Sequence, residues 1–202
     1  MFFSFEGIDG SGKTTQLKRL TAHLEETGLT VVATREPGGT RLAEAIRALL
    51  LEGRDAVEAR AELLLFGASR AQHVAQIIRP ALEAGQWVLS DRFADSSEAY
   101  QGALGLDAEF IRAMNSFATG ELQPKRTFFL DVAPEVGFER RRGSSEDRIE
   151  ARGLEFLTSV RARYLEIARR IPERFVILNG ELSPDQLEET IWQDVEAFLV
   201  SG

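Results

Sequence analysis

The chain has 202 residues, of which 44% are hydrophobic and 28% charged, the balance of a folded domain with an apolar core and a polar surface. The lack of cysteine excludes disulfides, thiolate metal sites and cysteine nucleophiles, and two histidines, His23 and His73, are too few and too scattered for a histidine metal cage. A formal net charge of −8 excludes non-specific nucleic-acid binding, so any polyphosphate partner must be met by a local positive site.

At this length roughly 70% of the unfolded surface can be buried, enough for one core, and a single domain over residues 1–202 is expected. No apolar run approaches the ~18 residues of a membrane span, and no basic segment leads into a long hydrophobic one at the N-terminus, so a cytoplasmic protein is expected. Five short apolar runs, residues 1–5, 30–34, 86–90, 127–130 and 175–178, read as strands buried on both faces, the pattern of a parallel sheet. Helical periodicity covers residues 13–27, 41–52, 59–84, 107–119, 134–142, 150–170 and 184–200. Gly28 is suited to ending the first helix, and Ser183-Pro184 to starting the last. Alternating strands and helices predict an α/β layer fold, with ligands at the carboxyl ends of the strands.

After the first run stands Gly7-Ile8-Asp9-Gly10-Ser11-Gly12-Lys13-Thr14, a complete G-x-x-x-x-G-K-[ST] phosphate loop between a strand and a helix. Its glycines let successive backbone N–H groups curl around an anion at the positive end of the helix. Lys13 is expected to reach the β- and γ-phosphates of ATP, and the Thr14 hydroxyl to ligate Mg²⁺. The third run ends in Asp91-Arg92: Asp91 is in the position of a second magnesium residue, expected to hold the ion through water, and Arg92 is placed to clamp an oxyanion.

A phosphate loop admits GTPases, motors, ATP-dependent regulators and small-molecule kinases. The Asn-Lys-x-Asp string that reads guanine is missing, and the chain is short for a motor. A small kinase needs a second anion site and a lid that expels water. Arg35-Glu36-Pro37-Gly38-Gly39-Thr40 follows the second run, and Phe66 and Arg70 stand four apart on one helical face, able to hold a flat base. Arg140-Arg141-Arg142-Gly143-Ser144-Ser145-Glu146-Asp147-Arg148 has the makings of an arginine lid. No catalytic base presents itself. A phosphate acceptor needs none, since its second pKa is ~6, so the residues favour a nucleoside monophosphate. A deoxynucleoside kinase using Glu36 as base, and a regulatory ATP-binding module without acceptor chemistry, are the rival readings.

Residues 5–15, 35–40, Phe66 to Arg70, Asp91-Arg92-Phe93 with Ala99-Tyr100-Gln101-Gly102, and Asp147-Arg148-Ile149-Glu150 together resemble the bacterial thymidylate kinase family across nearly the whole chain. The resemblance implies the five-stranded parallel sheet of P-loop nucleoside monophosphate kinases with a short arginine-rich lid, usually as a homodimer. It implies transfer of a phosphoryl group from ATP to dTMP with Mg²⁺. Gly7, Ile8, Asp9, Gly10, Ser11, Gly12, Lys13, Thr14 and Thr15 would hold ATP. Phe66 would stack on thymine and Arg70 hydrogen-bond it, with Ser97 and Gln101 near the base. Arg35, Arg47 and Arg92 would surround the dTMP phosphate, Tyr100 would lie under the deoxyribose, and Asp9 would face its 3′-hydroxyl. Because the loop position is Asp9 rather than arginine, the lid would supply the catalytic charge. Any of Arg140, Arg141, Arg142 and Arg148 could do so, with Arg142 and Arg148 favoured.

Overall fold

In a computed structural model, residues 1–52, 56–142 and 147–199 are described. Five strands, β1 (Phe2–Glu6), β2 (Val31–Arg35), β3 (Trp87–Asp91), β4 (Arg126–Asp131) and β5 (Phe175–Asn179), form one parallel sheet in the order β2-β3-β1-β4-β5. All five fall on the apolar runs. Every residue of β1 is buried, as a central strand covered by helices on both faces requires.

The helices are α1 (Lys13–Glu26), α2 (Arg41–Leu51), α3 (Ala59–His73), α4 (Arg79–Glu83), α5 (Ala94–Ala103), α6 (Ala108–Thr119), α7 (Pro134–Arg140), α8 (Leu154–Arg170) and α9 (Pro184–Leu199). Gly28 ends α1 with φ +86°, its N–H and that of Leu29 reaching back to Glu25 and Leu24, which satisfies two carbonyls of the last turn. The expected helix 59–84 is formed without a gap by α3 and α4, joined through a π turn at Val74–Ile78. Pro80 has no N–H and its ring crowds the carbonyl four residues earlier; the N–H of Arg79 bonds Val74 O, five residues back, so the turn widens to admit it. The run 150–170 is likewise broken: a 3₁₀ turn, Glu150–Arg152, precedes Gly153 at φ +85°, and α8 begins at Leu154.

α5 had no forecast. Its buried positions include Asp95, Ser97, Glu98 and Gln101, so no apolar stripe marks it. On one face of the sheet Phe3, Phe5, Leu89 and Phe128 pack with Leu17, Leu20 and Leu24 of α1 and Ile191 and Val195 of α9. On the other, Phe129 and Phe175 pack with Val160, Tyr164 and Ile167 of α8 and Tyr100 of α5. The chain leaves β1 in one direction and β3 in the other, and the loops after β1, β2 and β3 meet at that switch point.

Candidate active site

The loop between β1 and α1 is a cradle of donors. Gly12 caps α1 in the left-handed region at φ +99° with no side chain bonding the first turn, leaving the N–H groups of that turn for a ligand. Gly10 is compelled by close approach: a Cβ there would lie 2.2 Å from Gly137 O of α7. Lys13 is 5% exposed; its Nζ donates to Ile8 O at 2.9 Å and lies 3.7 Å from Asp9 Oδ1. Burial, then the charge of Arg92, depress its pKa. The loop opens on a cavity of about 640 Å³ lined by residues 9–16, Arg35, Arg47, Asp91 and Arg92, which runs out past Arg140 to Leu182 and Pro184.

Arg92 is the hub. Its backbone sits in the left-handed region at φ +72°, a strained conformation for a side chain of this size. Its guanidinium donates to Asp9 Oδ1 at 2.8 Å and to the Tyr100 hydroxyl at 3.1 Å, and lies over the Tyr100 ring. Burial opposes the charge on both partners, yet the Arg92–Asp9 attraction prevails: the pKa of Asp9 is depressed and that of Arg92 raised. Beneath this hub lies Glu6, fully buried, accepting from Phe93 N at 2.7 Å, Ser96 Oγ at 2.6 Å and the Tyr164 hydroxyl at 2.7 Å. Burial, followed by the neighbouring Asp95, raises its pKa to about 7.

Arg35 is clamped by both oxygens of Glu44 at 3.0 Å, and Arg47 donates to Pro37 O at 2.9 Å. Burial and then the like charge of Arg35 lower the pKa of Arg47. Arg35, Arg47 and Arg92 thus converge on one cavity, with Arg140 farther out along it and three carboxylates, Asp9, Glu36 and Asp91, in its lining, and an incoming anion relieves the mutual repulsion of the arginines.

A second, tighter cavity of about 90 Å³ adjoins the first, sharing Asp9, Glu36, Arg47 and Arg92 with it. Phe66, Ser97, Tyr100 and Gln101 line it. Arg70 is under its floor and 1% exposed, its Nε on Glu36 at 2.7 Å and its other nitrogens on Ser97, Asn115 and Phe93 O. Glu36 also meets His73 Nδ1 at 3.0 Å, so both of its oxygens are engaged.

A family model described as thymidylate kinase matches residues 5–191. The chain belongs to the thymidylate kinase family. A thymidylate kinase of Bifidobacterium longum subsp. infantis is 48% identical over 98% of this chain and 87% of its own length. That of Symbiobacterium thermophilum is 47% identical over 98% of this chain and 94% of its own. The crystal structure of thymidylate kinase from Ehrlichia chaffeensis superposes with a TM-score of 0.80 at 35% identity, covering 96% of this chain and 98% of that one. The five-stranded parallel sheet is therefore that of the P-loop nucleoside monophosphate kinases, and the chain is a kinase of this family, whose reaction is transfer of a phosphoryl group from ATP to dTMP.

Against the expectations for a thymidylate kinase, the described residues bring together the phosphate loop, Arg35, Arg47, Arg92, Phe66, Ser97, Tyr100 and Gln101. Arg70 touches the pocket only from below. The lid differs. Arg142 is exposed and paired with Glu139 at 3.0 Å, while Arg148 donates to Glu62 at 2.6 Å and to Leu50 O at 2.9 Å; neither lines either cavity. Arg140, which was not favoured, is at the donor cavity, donating to Gly180 O at 2.8 Å and Gly10 O at 3.4 Å, and the charge of Arg141 reaches Asp9. Residues 143–146 of the expected lid lie outside the described residues. Arg140 is the last residue of α7 and reaches the loop at Gly10 O, whereas Arg142 lies beyond the helix end and is turned to solvent.

Sequence reasoning passed over Glu6, Glu62 and Ser96. For Glu62 a signal existed: Glu62, Phe66 and Arg70 form an i, i+4, i+8 stripe on α3, one helical face. Thr14 Oγ1 and Asp91 Oδ2 are 2.5 Å apart at the mouth of the phosphate loop. Hard oxygen donors in so small a number suit Mg²⁺, which keeps waters and phosphate oxygens for its other positions.

Proposed function

We propose that the chain, acting as one domain over residues 1–202, transfers the γ-phosphoryl of ATP to dTMP, giving ADP and dTDP. The observation that carries this is the pair of contiguous cavities, one walled by the phosphate loop and the other by an aromatic base pocket, with Arg92, Arg47 and Asp9 common to both. Backbone N–H groups of residues 10–15 and Lys13 hold the β- and γ-phosphates. Arg35, Arg47 and Arg92 hold the acceptor phosphate, already anionic near neutral pH, so the transfer reduces to alignment and charge neutralisation. Asp9 keeps Arg92 in position and faces the sugar. Phe66 stacks on thymine, Tyr100 fills the space beside the deoxyribose, and the unpartnered Gln101 Oε1 accepts from the base N3–H. Thr14 and Asp91 would hold Mg²⁺, which when bound neutralises phosphate charge. Arg140 closes the donor side, with Arg142 and Arg148 the alternative lid charges. A nucleoside acceptor is disfavoured, because Glu36, the one candidate base, is tied to Arg70 and His73.

Helices α2, α3 and α6 leave Leu42, Leu49, Leu64, Phe110 and Phe117 exposed, the last at 90%, which supports a homodimer through that face. Among the described residues no helix is long and apolar enough to cross a membrane, in keeping with a cytoplasmic setting.

The test is turnover of purified protein with ATP and Mg²⁺. dTMP is expected to be phosphorylated far faster than AMP, dCMP or thymidine. Faster turnover on any of these three refutes the assignment.

A further inference from the structure

Glu62 is a carboxylate with no contact to water, at 0% exposure, in the first turn of α3. Four hydrogen bonds converge on it. Its Oε1 accepts from Gln101 Nε2 at 2.9 Å and Arg152 NH1 at 3.2 Å, and its Oε2 from Arg148 NH2 and Arg152 NH2, both at 2.6 Å. Burial opposes its ionisation, but the donors from Arg152, Gln101 and Arg148 outweigh burial and lower its pKa, so it is an anion that can only accept.

That has a consequence for Gln101. A primary amide has one donor end and one acceptor end, and the two are interchangeable in shape. Next to an acceptor-only carboxylate, the reversed amide would set oxygen against oxygen in a site closed to water, where such repulsion is least screened. The NH₂ end of Gln101 is therefore committed to Glu62, and the Oε1 end is left. Gln101 lines the base pocket, and its Oε1 is buried without a partner.

We infer that Glu62 is a specificity-determining positioning residue: by fixing the amide of Gln101 with its oxygen toward the pocket, it makes the pocket an acceptor that selects a base bearing N–H at its central edge position. Thymine and uracil offer N3–H there. Cytosine offers a lone pair at N3, which meets a lone pair, and a buried polar pair left unmatched costs far more than a missing contact. Arg148 and Arg152 hold the carboxylate charged, so residues 147–152, the end of the lid and the turn after it, are tied to the reading of the base. This rests on dTMP being the acceptor.

The test compares kcat/KM for dTMP and dCMP in wild type, Glu62→Gln, Gln101→Leu and the double variant. Glutamine at position 62 can donate as well as accept, so it no longer dictates the orientation of the neighbouring amide. The dTMP-to-dCMP ratio is expected to fall by about tenfold or more in Glu62→Gln, chiefly through KM, the scale of one unmatched buried hydrogen bond. In the Gln101→Leu background the same substitution should leave the ratio unchanged. A merely structural role would lower both substrates in proportion. An unchanged ratio in Glu62→Gln, or an equal fall in the Gln101→Leu background, overturns the inference while dTMP kinase activity stands. Wild-type preference for dCMP overturns the reading of the pocket itself. Should Glu62→Gln fail to fold, the side-chain amide protons of Gln101 in wild type, identified by their loss in Gln101→Leu, give the answer. They should be protected from exchange with and without dTMP; protection appearing only when dTMP binds would mean that they point at the ligand and overturns the inference.

Discussion

Glu36→Gln separates two roles for the residue that follows β2. Glu36 and Arg70 have side chains 3% and 1% exposed and meet at 2.7 Å, and the other Glu36 oxygen takes His73 Nδ1 at 3.0 Å. Glutamine preserves the shape and one acceptor but removes the charge, leaving Arg70 a buried cation. Breaking a buried pair from one side costs about 3–5 kcal/mol. Arg70 keeps Ser97, Asn115 and Phe93 O as acceptors, which sets the expectation at the lower end, about 3 kcal/mol. For a chain of this size each kcal/mol shifts Tm by about 2–4 °C, so a fall of about 6–12 °C is expected by thermal unfolding. Because Arg70 underlies the base pocket, KM for dTMP should rise while kcat changes much less. A Tm within about 2 °C of wild type refutes the anchoring role. A collapse of kcat at unchanged Tm and KM would instead mark Glu36 as a base and reopen the nucleoside-kinase reading.

Lys13→Ala should abolish turnover while dTMP still binds, because only the donor phosphates lose their fixed cation; calorimetric titration with dTMP checks the second half. Phe66→Ala should weaken dTMP binding by about 1–3 kcal/mol, the scale of one base–aromatic stack, and unchanged affinity would remove Phe66 from that role. Glu6 gives a pH prediction. Its pKa rises from 4.5 unfolded to about 7 folded, so between these values the folded state keeps a proton that the unfolded state has released, and stability falls as pH rises through that window. Glu6→Gln cannot titrate, so the Tm of wild type relative to the variant should decline from pH 5 to pH 7; a difference that is flat or rises with pH contradicts the assignment.

The phosphate loop was legible because its function is local: glycines, lysine and threonine at fixed spacing determine the curl of the backbone whatever surrounds it. The five strands were legible because burial on both faces demands continuous apolar runs, and Asp91-Arg92 followed from the strand that precedes it. Helix α5 was illegible because its inward side is polar, satisfied by partners far along the chain rather than by an apolar stripe. The placement of the lid arginines was not legible for the same reason. Where each arginine goes depends on which carboxylate the fold brings to it: Glu62 takes Arg148 from 86 residues away, and Glu139 takes Arg142 from within its own turn. The sequence by itself determined the chemistry available, a phosphate loop, an aromatic base contact and a surplus of arginine over lysine in a chain of net charge −8. Only the tertiary structure decided which charges remain at the cavity and which are spent on one another, because ion pairing between distant elements depends on distances of a few ångström that no local pattern encodes.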